Sequence, residues 1–224
     1  MTAFILLQST TAPVPAQAHL SFWELALKGG WVMIPIALLS IISVYIFIDR
    51  YFALRRAARL DKNFMNRIKE YILDDKIEAA VALCHSTDSP TARMILKGLQ
   101  RLGRPLNDVH TAIENVGNME IAKLEKGIPL LASVAGAAPM LGFFGTVTGM
   151  VRAFYTMASA GSNLNVGLLS AGIYEALVTT VAGLMVGIPA YFFYNYLVVK
   201  VDEVLFNLEI HTTEFMDLLN EPVK

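Results

Sequence analysis

Glu175 is the residue in this sequence best placed to do chemistry. Between Lys126 and Lys200 the only charged side chains are Arg152 and Glu175; the rest of the stretch is apolar or small. Thr179 and Thr180 follow Glu175 after one helical turn, and Thr146 lies on a second apolar segment upstream. A carboxylate at the centre of a membrane helix costs about 3 kcal/mol on insertion scales, so one that is kept there is a functional candidate. Carboxylates take up and release protons, and hydroxyls donate and accept hydrogen bonds. Together they suit a site that moves or senses charge inside a bilayer.

Glycines and prolines surround this set. Gly142, Gly145 and Gly149 accompany Thr146, while Gly183 and Gly187 continue the face that carries Glu175 and Thr179. Small residues at this spacing let two membrane helices approach closely. For the threonines, a pore-side role and simple bonding back to the preceding turn both stand. Glu175 likewise has two readings that can coexist, a proton-handling acid and the partner of Arg152 in an ion pair. By helix rise, Arg152 lies about 9 Å above Thr146, and Glu175 about 7.5 Å above Thr180. Pro139 and Pro189 fall at matching depths, where each removes a helix hydrogen bond and can kink its helix, as a hinge or as a static bend.

The elements that must position these residues follow from hydropathy. The chain has 224 residues, 55% hydrophobic and 17% charged, with a formal net charge of −1. Apolar residues come in blocks, which predicts an all-α integral membrane protein with three transmembrane helices. Residues 1–30 read as a periplasmic tail ending in a short amphipathic helix, Phe22 to Lys28, bracketed by Trp23 and Trp31 and broken by Gly29-Gly30. Residues 31–52 form the first span, and Arg50, Arg55, Arg56, Arg59 and Lys62 after it place that end in the cytoplasm. Residues 53–127 read as a cytoplasmic helical hairpin, with Ile68, Ile72, Ala79, Val81, Leu83, Ile95 and Leu99 forming its apolar faces.

Residues 128–158 are the second span, 159–166 a periplasmic turn, 167–199 the third span, and 200–224 a cytoplasmic helical extension. From Leu106 onward the apolar pattern runs into the second span without a stop. One helix from Asn107 to Ala158, about 75 Å long, is therefore expected.

Other chemistry is disfavoured. His19, His85, His110 and His211 form no ligand-type spacing with one another or with Cys84, so no metal site is expected. No Gly-rich phosphate loop, nucleophile elbow or acid–base dyad is present, so no enzyme activity or cofactor is expected. The near-neutral balance shows no basic face for nucleic acid.

The run Ala138-Pro139-Met140-Leu141-Gly142-Phe143-Phe144-Gly145-Thr146-Val147-Thr148-Gly149 resembles the second-span signature of the MotA/TolQ/ExbB proton-channel family. Ile173-Tyr174-Glu175-Ala176-Leu177-Val178-Thr179-Thr180, followed by Gly183-Leu184 and Ile188-Pro189-Ala190, resembles its third-span signature. The resemblance, nearest to ExbB and next to TolQ, implies a bacterial inner-membrane homopentamer whose second and third spans line a central pore. It implies a single-span ExbD- or TolR-type partner that supplies an essential Asp in that pore, and a TonB-type or Tol–Pal system that receives the work. Thr146, Thr179 and Thr180 then become polar pore-lining residues, and Glu175 the pore-side acid. Protons become the transported ion; one charge crossing 100 mV releases about 2.3 kcal/mol. Thr148, where a bulky aromatic is common, and Arg152, where a neutral residue is usual, depart from the pattern. A MotA-like stator would need another span, and a passive membrane scaffold held together by the glycines is the reading from a different class.

Overall fold

The computed structural model describes residues 29–59, 63–159 and 166–220. The expected amphipathic stretch Phe22 to Lys28, most of the turn between the second and third spans, and the last four residues lie outside these. Every regular element among the described residues is helical: α1 (Met33–Ala57), α2 (Phe64–Leu73), α3 (Ile77–Ser86), α4 (Pro90–Leu99), α5 (Leu106–Glu125), α6 (Ile128–Ser159) and α7 (Val166–Asn220). Three helical stretches, within α1, α5–α6 and α7, are long and apolar enough to cross a membrane. The all-α membrane architecture expected from hydropathy is the one observed.

The uninterrupted helix expected from Asn107 to Ala158 is not. It breaks at Lys126-Gly127 into α5, of 20 residues, and α6, of 32. Lys126 adopts φ −53 and ψ 121, and Gly127 has φ +88, the sequence of angles of a type II turn. A side chain at Gly127 would be strained by that φ even though its surroundings are open. The apolar pattern misled because a single turn residue can rotate a helix axis without disturbing the periodicity on either side. Arg50 of α1 secures the break by donating from Nη1 to the Lys123 carbonyl at 2.9 Å. That carbonyl belongs to the last turn of α5, where acceptors lack intrahelical partners and a cation is favoured.

Helices α2, α4 and α5 fold against the distal half of α7, and α3 packs on α2 and α4. Ile68, Ile95, Leu99, Val109 and Ile113 are buried there with Val204, Leu208 and Phe215. Gly98 makes room: a Cβ on it would meet Phe215 Cε1 at 2.6 Å and Ile113 Cδ1 at 2.8 Å. In α3 the fully buried residues are Ala80 and Cys84, and the expected Val81 and Leu83 pack half-buried against the same core. Ser89 caps α4, its hydroxyl accepting from the Ala92 N–H at 3.1 Å with Pro90 at the first helical position. The 55 residues of α7 make it about 80 Å long. It is the rod that carries the membrane seam at one end and the helical domain at the other.

Candidate functional site

Helices α6 and α7 run antiparallel in close contact, and glycines set their separation. A Cβ on Gly183 would lie 2.6 Å from the Ala138 carbonyl oxygen and 3.0 Å from Gly142 Cα. One step along the seam, a Cβ on Gly142 would lie 2.9 Å from the Thr179 carbonyl, and one on Gly145 2.4 Å from Thr179 Oγ1. Further on, Gly149 faces Ala176 and Gly172 faces Ala153. At the other end Gly187 receives the Pro139 ring, whose Cγ would be 2.5 Å from an added Cβ. So Pro139 fills a notch in α7 two residues before Pro189, and its ring packs as a ridge in the opposing groove.

The three threonines divide between the inside and the edge of this seam. Thr179 is 1% exposed, donates to the Ala176 carbonyl at 2.8 Å, and fills the space above Gly145. Thr180 donates across the seam to the Gly142 carbonyl at 3.3 Å, bonding the two helices directly. Thr146, one turn along α6 from Gly142, donates to the Phe143 carbonyl of its own helix and remains partly exposed. Thr148, the departure noted above, bonds back to the Phe144 and Gly145 carbonyls at 3.0 and 3.1 Å.

Glu175 stands at the seam's edge, and its side chain is 25% exposed. Its Oε1 lies 3.7 Å from Arg152 Nη1, joining the two charged residues of the apolar stretch across α6 and α7. Its third neighbour is not legible in the sequence. Gly30, in the turn that enters α1, has φ +67, and a Cβ on it would fall 2.2 Å from Glu175 Oε1. Gly29 beside it approaches Val178. The Gly29-Gly30 pair reads from sequence as a helix breaker. Folded, it brings α1's entry turn against the acid with no side chain between.

A family model described as the MotA/TolQ/ExbB proton channel family matches residues 86–210, which contain this entire seam. The chain belongs to that family. An ExbB-like biopolymer transport protein of Synechocystis is 31% identical over 77% of this chain and 68% of its own. The Tol-Pal system protein TolQ of Haemophilus influenzae is 30% identical over 91% of this chain and 95% of its own. The biopolymer transport protein ExbB of Neisseria meningitidis is 28% identical over 74% and 80%. With three apolar helices able to span a bilayer, this family member is a membrane protein.

Outside the membrane the family region holds a second charged group that sequence reading overlooked. Glu120 on α5 has a side chain only 6% exposed, and it accepts from Arg93 Nη2 at 2.7 Å and Lys123 Nζ at 2.6 Å. Arg93 also holds Asp88, at 2.7 Å. Burial alone would raise the Glu120 pKa; the hydrogen bonds and charges of Arg93 and Lys123 outweigh it and hold the carboxyl below its ordinary 4.5. The signal was available. Glu120 falls on the same stripe as Val109, Ile113, Val116 and Leu124, an acid where the pattern calls for an apolar residue.

Proposed function

We propose that this chain is an ExbB-like subunit of a proton-driven motor in the bacterial inner membrane. In this reading a homopentamer surrounds an ExbD-type single-span partner, and proton flow through the assembly energises TonB-dependent transport at the outer membrane. The N-terminus lies in the periplasm and the C-terminus in the cytoplasm, because Arg50, Arg55, Arg56, Arg59, Lys123, Lys126 and Lys200 gather at one end of the spans. Protons are the transported ion, and no cofactor is required.

The observation that carries the reading is the seam itself. It holds one acid, Glu175, within the apolar stretch of the third span, with Thr180 bonded across the helix pair to Gly142 and Thr146 one turn along α6 from that glycine. This chain offers no series of acids or histidines through the bilayer, so a second titratable group must come from a partner. Moving an isolated charge through hydrocarbon is far costlier than handing a proton between two carboxyls lined by hydroxyls. Thr146 and Thr180 are the hydroxyls placed for that lining, whereas Thr179 serves by holding the helices at their spacing.

The test is proton uptake into liposomes containing this chain co-expressed with an ExbD-type partner. Partner-dependent uptake should fall at least tenfold in Glu175→Gln and in the double variant Thr146→Ala/Thr180→Ala, with assembly retained, a loss equivalent to about 1.4 kcal/mol. Uptake that survives both variants would leave only a scaffold role. A TolQ-like role is the second reading, favoured by alignment to TolQ over 91% of this chain against 74% for the Neisseria ExbB. Complementation of strains lacking either system separates the two.

A further inference from the structure

The contact between α1 and α7 has two openings on one face. At the Arg-rich end a cavity of about 450 Å³ is lined by Tyr51, Arg55 and Arg59 from α1 and by Tyr196, Lys200 and Glu203 from α7. Toward the other end an apolar groove of about 400 Å³ is lined by Met33, Ala37 and Ser40 with Val178, Ala182 and Met185. The two are in phase. Met33 and Tyr51, Ala37 and Arg55, Val178 and Tyr196, and Ala182 and Lys200 each stand about five full turns apart, which returns a helix to the same face. Between the openings Phe47 and Phe193 stack with centroids 4.0 Å apart, beneath exposed Val44, Ile48 and Phe192.

We propose that this α1–α7 seam binds one anionic phospholipid, its phosphate held by Arg55 and Arg59 and its acyl chains laid along the seam toward the groove. Charge selects the occupant. Lys200 is engaged by Glu203, while Arg55 and Arg59 make no ion pair among the described residues. The two guanidiniums present paired donors that match a phosphate. Tyr51 and Tyr196, with ring centroids 6.3 Å apart, mark the headgroup level, where aromatic rings with a polar tip belong. Length agrees as well: from Tyr51 to Ser40 is about 16 Å along α1, half of a ~30 Å hydrocarbon core. A lipid anchored at the cavity therefore reaches the inner end of the groove at the bilayer's middle. A free phosphate would use the cavity and leave the groove unoccupied.

The full chain, reconstituted in nanodiscs of phosphatidylcholine doped with phosphatidylglycerol, gives the test by native mass spectrometry after release. One retained phosphatidylglycerol per chain is expected. Arg55→Gln and Arg59→Gln should each lower its preference over phosphatidylcholine about fivefold, the equivalent of about 1 kcal/mol per cation at a lipid surface. Arg55→Lys should recover part of it. Arg56→Gln is the control, because Arg56 stands at the same level on α1 but outside the cavity. An equal loss in Arg56→Gln would mean diffuse attraction and overturn the site. So would displacement of the lipid by inorganic phosphate, or a disulfide between copies through Ile48→Cys and Phe192→Cys, which would show a second chain covering the seam. Both leaflets of the nanodisc carry the same lipids, so the result stands apart from the proposed orientation and from proton uptake.

Discussion

Gly183→Ala is the sharpest perturbation of the seam. The added methyl would sit 2.6 Å from the Ala138 carbonyl oxygen and 3.0 and 3.1 Å from the Gly142 Cα and N. All three are backbone atoms, so no side chain can turn aside, and α6 and α7 must part by about 0.5–1 Å to restore normal contact. Overpacking of this kind costs about 1–3 kcal/mol. The separation also stretches the Thr180 hydroxyl's bond to the Gly142 carbonyl, already 3.3 Å. Gly136→Ala on α6 is the matched control, with nothing within 4 Å of its added methyl. Helix propensity alone would favour that change by up to about 1 kcal/mol. Because that gain applies to both helix-interior glycines, the two variants should differ by the overpacking cost, about 1–3 kcal/mol, with Gly183→Ala the less stable. Unfolding of the reconstituted chain, followed by far-ultraviolet circular dichroism, measures the difference. Equal stability of the two variants would refute the claim that glycines set the helix separation.

Gly127→Ala, forced to φ +88 at the α5–α6 break, should cost about 1–2 kcal/mol in the same assay. Glu120 titrates below 4.5 in the folded state, so the unfolded chain binds the proton more tightly. Its stabilisation is thus full above that value and disappears as pH falls through the lower folded value; Glu120→Gln should flatten this acid limb of a stability–pH curve. Cys84 is 3% exposed, and burial pushes its thiol up to about 11. It should resist thiol reagents at neutral pH until the helical domain is unfolded, and rapid labelling of the native chain would contradict that packing.

Sequence alone determined the class of this protein and singled out the two charged residues of its longest apolar stretch. Three apolar blocks with basic residues at one end leave few alternatives to membrane helices, because unpaired backbone groups are too costly in hydrocarbon for any irregular chain. Glu175 and Arg152 were legible for the same reason: a charge among apolar residues is conspicuous whatever the fold. The glycine spacing announced a close helix pair, since a 3.6-residue repeat is a property of one helix and needs no knowledge of its partner.

Tertiary structure decided what depends on a second element. It placed Thr179 inside the seam and bonded Thr180 to the opposite helix, a distinction invisible when both are adjacent threonines on one strand of text. It broke α5 from α6 at Gly127, because one residue's positive φ redirects a helix while leaving the periodicity intact. It set Gly30 against Glu175 and Arg93 against Glu120, contacts between residues far apart in sequence. Periodicity reports the face a residue occupies. Which atoms meet that face is fixed only when distant helices pack, and there the spacing of a few glycines determines how closely the charged groups approach.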